Sequence, residues 1–303
     1  MTKIIVLAGG SSDERAVSLR SGAAVAAALQ FSGYEVSILD PADQTADYES
    51  RLTAADAVFP VLHGLRGEDG TVQRWLEDHG IRYVGADSTA SSHCFDKWRY
   101  KQTLQQAGLP VPRGVMVNVR SLWESEFVKQ PFVLKPNDGG SSVDTFIVRD
   151  VANCDRNSIE DAFRRHPQML LEELIAGQEI TVGILLDEAL PVIEIVPPQD
   201  GEFDYENKYN GQTQELCPPR SVSSDIQRQV RHLALRIHEL LGVRDMSRTD
   251  MMISPDGSLW VLETNTIPGM TAQSLLPKAA AVAGYDMQAM VHRLVEAALR
   301  RES

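Results

Sequence analysis

KIIVLAGGSSDER, residues 3–15, joins a buried strand to a helix near the start of the chain. Residues 3–8 are a β-branched apolar run of the kind found in fully buried parallel strands. Gly9 and Gly10 turn the chain, and from Asp13 to about Gln30 the apolar residues recur at helical spacing. This pattern predicts the first strand and the first helix of a parallel α/β unit.

Strand-like runs continue beyond this helix, with helical segments between them. They are Glu35–Leu39, Ala57–Leu62 and Ile81–Val84. Strands that alternate with helices predict a small doubly wound parallel sheet. We place this N-terminal domain at residues 1–87.

The pattern changes in the middle of the chain. Residues 88–108 are helical in character, and a helical patch lies near residues 158–166. The strand-like runs here are Gly114–Val117, Phe132–Lys135, Ser142–Val148 and Met169–Glu172. The mixture predicts a small α+β domain at residues 88–177.

Residues 178–303 are predicted to form a third domain, which makes the fold class α/β and α+β. A polar loop from Pro197 to Pro219 is long enough to be functional. Helices are expected at Ser223–Leu241 and in two segments at the C-terminal end. Strands are expected at Glu179–Leu186, Pro191–Val196, Met246–Ile253 and Leu259–Asn265.

Length and composition limit the classes of protein that the chain can belong to. Its 303 residues are enough for two or three packed domains, and its formal net charge of −13 argues against a nucleic-acid partner. Three widely spaced cysteines suit a reducing compartment. No run is long enough to span a membrane, and the N-terminal run is too short for a signal peptide. We therefore expect a cytoplasmic protein with no membrane partner.

The last two predicted strands form a hairpin. Ser254-Pro255-Asp256-Gly257 has the composition of a type I turn between them. Folding at this turn brings Asp250 roughly opposite Glu263. Since side chains two apart on a strand share a face, one face of the hairpin gathers several polar side chains.

This polar face predicts a magnesium site. Arg248 and Asp250 point the same way, and so do Glu263 and Asn265. Carboxylate and amide oxygens are ligands that Mg²⁺ accepts, together with substrate phosphates. The alternative is a solvated strand face, but the neighbouring apolar residues indicate burial.

A second polar stretch, KPNDGGSSV at residues 135–143, lies between two predicted strands. Paired glycines and serines let backbone N–H groups and hydroxyls approach phosphate oxygens. It is not the P-loop pattern, in which the lysine follows the glycines and a helix comes next. A plain β-hairpin loop is the alternative.

Two residues follow strands of the N-terminal sheet at its carboxyl edge, where ligands bind in such sheets. The first turn lacks the Gly-x-Gly-x-x-Gly spacing of dinucleotide-binding proteins. Glu14 in that turn is either a first-turn acid favoured by the helix dipole or a group that binds a substrate ammonium. His63 opens HGLRGEDG at residues 63–70, which is either a binding loop or a loop with a structural histidine.

Taken together, six motifs in order resemble the D-alanine–D-alanine ligases of the ATP-grasp superfamily. The resemblance covers essentially the whole chain. The motifs are GGSSDERAVSLRSG at 9–22, HGLRGEDG at 63–70, Asp96-Lys97, KPNDGGSSV at 135–143, YENKY at 205–209, and Arg248-x-Asp250 with ETNTIPGMTAQSL at 263–275.

The resemblance implies a three-domain ATP-grasp fold with ATP between the central and C-terminal domains, and a substrate-binding role for the N-terminal one. It implies a ligase that joins two D-alanines through an acyl phosphate, for peptidoglycan precursor synthesis. ATP and two Mg²⁺ ions, with Mn²⁺ as a substitute, are the implied cofactors. A homodimer is also implied.

The resemblance further assigns roles to individual residues. Those implied in catalysis are Glu14, Ser141, Tyr209, Arg248, Gly269 and Ser274, with His63 and Leu275 as further contacts to the amino acids. The ATP-binding residues are Lys97, Lys135, Ser142, Glu172, Glu173, Leu174, Ile175, Glu179 and Lys208. The metal ligands are Asp250, Glu263 and Asn265.

The chain departs from the family pattern at Asp144, where glycine is usual. An acid at that position is expected to repel a triphosphate. Two alternatives stay open: an ATP-grasp ligase for a different amino acid or hydroxy acid pair, and a non-catalytic nucleotide-binding regulator. Retention of Arg248 and of the metal ligands argues against the regulator.

Overall fold

The structure is a computed structural model that describes residues 1–43, 45–139, 144–198 and 213–301. Its first sheet is parallel: β1 (Lys3–Leu7) lies between β2 (Glu35–Leu39) and β3 (Ala57–Pro60). The helix α1 (Arg15–Phe31) connects the first two strands. The other helices of this part are α2 (Tyr48–Thr53) and α3 (Thr71–Asp78). The parallel N-terminal sheet predicted from the sequence is confirmed.

The strand expected at Ile81–Val84 is reduced to a single parallel bridge between Tyr83 and Val58. The chain turns at Gly85, whose φ of +107° lies in the left-handed region. The amide of Gly85 donates a hydrogen bond to the Asp245 carboxylate at 2.7 Å. Because the backbone is diverted toward Asp245, the strand pairing does not continue.

The helix expected over residues 88–108 is two helices, α4 (Ser88–Phe95) and α5 (Lys97–Gln106). Asp96 separates them with an extended backbone, and its carboxylate accepts the Arg99 N–H at 3.0 Å as the N-cap of α5. An aspartate that caps a new helix end explains why the helical pattern is interrupted.

The second sheet is antiparallel and has the order β4-β7-β5-β6. Its strands are β4 (Gly114–Val117), β5 (Phe132–Pro136), β6 (Phe146–Val148) and β7 (Met169–Glu173). Two α-helices, α6 (Val119–Leu122) and α7 (Arg156–Arg165), and two 3₁₀ turns, Glu126–Lys129 and Val151–Asn153, complete this part.

The third sheet is antiparallel and has the order β11-β10-β8-β12-β13, with β9 paired to β8. Its strands are β8 (Gln178–Leu185), β9 (Glu188–Ala189), β10 (Ile193–Val196), β11 (Gln214–Leu216), β12 (Met246–Ile253) and β13 (Leu259–Asn265). The helices α8 (Ser224–Leu240), α9 (Leu275–Val282) and α10 (Met287–Leu299) follow in the same part of the chain. The predicted loop at Pro197–Pro219 therefore contains a strand, β11, which pairs with β10.

The buried side chains show which elements pack together. The helix α10 packs on α1, and the core beneath them joins the first sheet to the C-terminal helices. Tyr100 and Leu104 of α5 are buried with residues of β8. The helix α5 therefore packs on the third sheet, although it comes before the second sheet in the sequence. The domain limits at residues 87 and 177 stay a prediction. None of the described helices combines the length and the apolar composition needed to cross a membrane.

A partly buried ion pair joins Arg301, just after α10, to the buried Asp245, just before β12. The Arg301 guanidinium makes two contacts with the Asp245 carboxylate, at 2.5 and 2.8 Å, and also donates to the Tyr83 carbonyl. Arg82 donates to the Arg301 carbonyl at 2.8 Å, and Gly85 donates to Asp245. The cluster therefore holds the first sheet against the third.

Arg301→Ala should lower the free energy of unfolding by about 3 kcal/mol, since it leaves the buried Asp245 carboxylate without its cation. Chemical denaturation would measure the effect. Arg300→Ala is the matched control, because Arg300 is 79% exposed in its 3.6 Å pair with Glu296 and such pairs contribute about 1 kcal/mol or less. Equal effects of the two substitutions would contradict a role of Arg301 in joining the sheets.

Candidate active site

A cavity of about 1360 Å³ lies between the three sheets. Every predicted site residue that the structure describes lines it. They are Glu14, His63, Lys97, Lys135, Glu172, Glu173, Leu174, Ile175, Glu179, Arg248, Asp250, Glu263, Asn265, Gly269, Ser274 and Leu275. Ser141, Ser142, Lys208 and Tyr209 lie outside the described residues, and the individual roles of all these residues stay predictions.

The hairpin of β12 and β13 forms one wall of the cavity. Asp250 lies opposite Glu263, as predicted from the sequence, and Arg248 lies opposite Asn265. The register shifts between Asp250 and Met251, so a bulge follows the polar pair. Two hydrogen bonds close the turn: the Ser254 amide donates to the Ser258 carbonyl, and the Gly257 amide donates to the Ser254 carbonyl.

Arg248 and Asp250 form a buried two-point ion pair. The guanidinium donates from Nε at 2.9 Å and from Nη2 at 2.8 Å, and the Thr181 hydroxyl donates to the same carboxylate at 2.5 Å. Burial alone would lower the pKa of Arg248, but the charge and hydrogen bonds of Asp250 raise it. The site therefore holds a permanent, oriented cation.

The donor set at the hairpin suits Mg²⁺. Within the described residues there is no cluster of three or more His, Cys, Asp or Glu side chains that could hold a metal by themselves. Asp250, Glu263 and Asn265 offer two carboxylates and one amide, all hard oxygen donors. Mg²⁺ is commonly held by one or two carboxylates with phosphates and water completing the shell, so these residues fit the ion when a nucleotide is present.

Two lysines line the cavity near the hairpin. Lys97, at the start of α5, donates to the Gly139 carbonyl at 2.6 Å and lies 3.9 Å from the Glu263 carboxylate. Lys135, near the end of β5, lies 2.7 Å from Glu172. Burial lowers the pKa of Lys97, whereas for Lys135 the effect of burial is outweighed by Glu172 and the pKa is raised. Together they place positive charge where phosphates are expected.

His63 brings a neutral imidazole to the cavity. Burial, and next the charge of Arg248, lower the pKa of His63 to about 4. Its Nε2 atom is buried and has no hydrogen-bond partner among the described residues. Because a buried nitrogen without a partner is costly, this atom is suited to bond a ligand. Ser12 fixes the loop by donating to the His63 carbonyl at 2.7 Å.

Glu14 occupies the N-cap position of α1, and its side chain makes no cap hydrogen bond. Its neighbour Glu68 accepts the Gly64 N–H at 2.8 Å. Burial, and next the charge of Glu14, raise the pKa of Glu68 to about 8. Paired acids in a closed space favour a cationic group such as a substrate ammonium.

The start of α9 also lines the cavity. Ser274 is the N-cap residue of α9, and its hydroxyl contacts Thr271 rather than the helix. A Cβ on Gly269 would lie 2.8 Å from the Ser274 Oγ, so a side chain there would displace the Ser274 hydroxyl. Unpaired N–H groups at a helix N-terminus attract carboxylates, and Leu275 provides the first of them.

The strip expected to bind adenine runs along the end of β7. Glu172 is buried against two lysines, and the Glu173 side chain is bonded to Arg113. Leu174 and Ile175 present an apolar surface to the cavity. The side chains of both glutamates therefore bond other side chains of the protein rather than the adenine ring proposed for this position.

Asp144 has a positive φ of +55°, a conformation that glycine adopts more easily. Its carboxylate is paired with Arg165 at 2.5 and 2.9 Å and with His166 at 3.0 Å. The hydrogen bonds from Arg165 lower its pKa. The positive charge of Arg165 therefore offsets the repulsion of a triphosphate that the sequence predicts for Asp144.

Three residues of the site were missed by the sequence reasoning. Thr181 and Lys101 contact predicted site residues, and Glu68 lines the cavity. Glu68 belongs to the second motif, and Lys101 lies one helical turn after Lys97, which are signals that could have found them. Nothing in the sequence links Thr181 to Asp250, because that contact joins two different strands.

Comparisons with known proteins agree with this geometry. The family sequence model described as D-ala D-ala ligase C-terminus matches residues 103–296, and the one described as D-ala D-ala ligase N-terminus matches residues 40–86. A D-alanine–D-alanine ligase of Oleidesulfovibrio alaskensis is 39% identical over 300 residues, which cover 98% of this chain and 96% of that protein. One from Xanthobacter autotrophicus is 42% identical over 299 residues and covers 97% of each chain.

Two solved structures have the same overall fold as this chain. The crystal structure of D-alanine–D-alanine ligase from Bacillus anthracis superposes with a TM-score of 0.86 at 33% identity, covering 99% of this chain and 98% of that one. The structure of that ligase complexed with ATP gives a TM-score of 0.85 at 31% identity, with the same coverage.

Three sheets around a cavity with this donor set have the architecture of an ATP-grasp ligase. The chain belongs to the D-alanine–D-alanine ligase family. As a member it is an ATP-dependent ligase of the D-alanine–D-alanine class, and a role in peptidoglycan synthesis follows from the family. The resemblance found in the sequence is confirmed.

Proposed function

We propose that this enzyme joins two D-alanines through an acyl phosphate and uses Mg²⁺ to do so. The observation that supports the proposal most is the gathering of the hairpin residues, the two lysines, Glu14 and His63 around one cavity. Each group has a place in one of two chemical steps.

In the first step the carboxylate of one D-alanine attacks the γ-phosphorus of ATP, and ADP leaves. Lys97 and Lys135 neutralise phosphate oxygens, and Lys208 is expected to do so at the γ-phosphate. Glu14 pairs with the substrate ammonium, and His63 bonds the same molecule through its buried Nε2. These contacts orient the nucleophile for an in-line attack.

Asp250, Glu263 and Asn265 would hold two Mg²⁺ ions, with Mn²⁺ as a possible substitute. The ions would offset negative charge on the transferring phosphoryl group. Arg248 keeps the Asp250 carboxylate oriented through its two-point contact.

In the second step the amine of the second D-alanine attacks the acyl carbon, a peptide bond forms and phosphate leaves. Arg248 and the Gly269 N–H stabilise the oxyanion of the tetrahedral intermediate. Ser274 and the Leu275 N–H receive the carboxylate of the incoming molecule.

The remaining assignments complete the proposal. Glu172, Glu173, Leu174 and Ile175 lie along the adenine, and Glu179 binds the ribose. Glu14, Ser141 and Tyr209 form a hydrogen-bonded trio that keeps water from the acyl phosphate, and Ser142 contacts the nucleotide phosphates. We also propose a cytoplasmic homodimer with domains at residues 1–87, 88–177 and 178–303.

Purified protein with Mg-ATP should release phosphate in the presence of D-alanine alone, and mass spectrometry should detect the dipeptide. L-Alanine, D-serine and D-lactate, supplied singly and paired with D-alanine, are the comparison substrates. EDTA should abolish the release. Release with another pair but not with D-alanine would keep the ATP-grasp reaction and overturn the substrate, and ATP binding with no release at all would favour a non-catalytic regulator.

A further inference from the structure

The helix α5 carries two lysines one turn apart, and they have different surroundings. Lys97 lines the cavity, whereas Lys101 does not and is only 4% exposed. A lysine is almost never buried to this extent without a specific partner. The contacts of Lys101 therefore indicate what it does.

Lys101 has two partners. Its ammonium donates to the Pro112 carbonyl and lies 2.5 Å from Oε1 of Glu172. The other oxygen of Glu172, Oε2, lies 2.7 Å from the ammonium of Lys135. One buried carboxylate thus connects α5, β5 and β7.

The charges in this cluster are unequal. Two lysines contact one glutamate directly, and the more distant Glu263 also attracts Lys135. Glu172 divides its two oxygens between the lysines, and its attraction for Lys135 is shared with Lys101. Lys135 contacts only one oxygen of Glu172, so its ammonium, which has three N–H groups, keeps donors for a phosphate.

We infer that Lys101 is a positioning residue for ATP binding: it holds Glu172 in place, and Glu172 in turn places the Lys135 ammonium at the nucleotide phosphates. The inference rests on the proposed contact between Lys135 and ATP. It concerns the nucleotide only, since the residues assigned to the amino acids lie on other elements.

Lys101→Met should raise the KM for ATP and the dissociation constant of Mg-ATP by about 10- to 100-fold, the range typical when a group that orients a binding residue is removed. The KM for D-alanine should change less than about twofold, because the substitution leaves the contacts proposed for the amino acids untouched. Lys101→Gln is the second variant, because it keeps a donor for the Pro112 carbonyl and removes only the charge. It should show the same selective loss.

A double-substitution cycle separates positioning from a general structural role. If Lys101 acts through Glu172, Lys101→Met should have little further effect on ATP affinity in a Glu172→Gln background. Additive losses, or equal rises in both KM values, would overturn the inference. Lys129→Met is the control, since Lys129 forms an exposed pair with Glu126 in the same part of the chain.

Lys135→Met distinguishes failure of this inference from failure of the proposed function. If Lys135→Met weakens ATP binding and neither Lys101 variant does, Lys101 is not a positioning residue. If Lys135→Met leaves ATP binding unchanged, the proposed contact of Lys135 with ATP is wrong, and the inference falls with it.

Discussion

Arg248→Ala is expected to lower kcat by about 100- to 1000-fold, the range seen when an oxyanion donor is removed. Arg248 is buried at the cavity wall, and its orientation is fixed by two hydrogen bonds to Asp250. Because the proposed contact forms in the tetrahedral intermediate, kcat and kcat/KM for the second D-alanine should fall together. Steady-state phosphate release measures both.

Arg248→Lys should be almost as damaging, although it keeps the charge. An ammonium cannot reproduce the planar fork that contacts Asp250 at two points. Arg228→Ala is the matched control, because Arg228 is an exposed arginine of α8 that pairs with Asp225 at the surface. An unchanged kcat in Arg248→Ala would remove this residue from the mechanism.

Loss of Arg248 also leaves the buried Asp250 carboxylate without its cation, so stability must be measured alongside activity. The thermal unfolding midpoint of Arg248→Ala would reveal a general loss of structure. A folded variant that binds Mg-ATP and turns over slowly is the result that assigns Arg248 to the chemical step.

The hairpin was predictable from the sequence, but its final register was predictable only roughly. The turn places Ile253 opposite Leu259, and a bulge between Asp250 and Met251 then shifts the register by one residue and brings Asp250 opposite Glu263. The break between α4 and α5 was also encoded locally, since Asp96 is a residue type that caps helices. The prediction of one helix failed because the helical pattern was weighed without the cap.

Contacts between distant segments were not predictable. Lys101 and Glu172 are 71 positions apart in the sequence, and neither pattern nor spacing connects them. Arg165 and His166, which contact the Asp144 carboxylate, lie at the end of α7, and they meet Asp144 only through the tertiary fold. Such pairs depend on tertiary packing, and a single sequence contains no local signal for them.

The reduced strand at Ile81–Val84 shows the same limit. Its apolar run is typical of a buried strand, and all of Ile81, Tyr83 and Val84 are buried. However, the turn at Gly85 and its bond to Asp245 depend on residues 160 positions away. The strand predicted for this segment is therefore limited to one bridge, although its apolar residues are buried.

Glu263→Gln is expected to lower kcat by about 100- to 1000-fold and to raise the Mg²⁺ concentration needed for half-maximal activity. An amide keeps the shape of the side chain but removes the negative charge that a hard cation prefers. A bound cation contributes several kcal/mol to phosphoryl transfer, and each 1.36 kcal/mol is a factor of ten in rate. Glu263 is a better position than Asp250 for testing metal binding, because Asp250→Asn would also break the ion pair with Arg248.

Titration of activity with Mg²⁺ at saturating ATP separates a metal ligand from a residue that merely supports the fold. A ligand role predicts that added Mg²⁺ recovers part of the lost rate, whereas a structural role predicts a loss that Mg²⁺ does not change. Glu160→Gln, at an exposed position of α7, makes the same chemical change away from the cavity and should leave the titration as in the original enzyme. If Glu263→Gln shows an unaltered Mg²⁺ dependence, Glu263 is not a metal ligand, and loss of its contact with Lys97 would be one source of any lost rate.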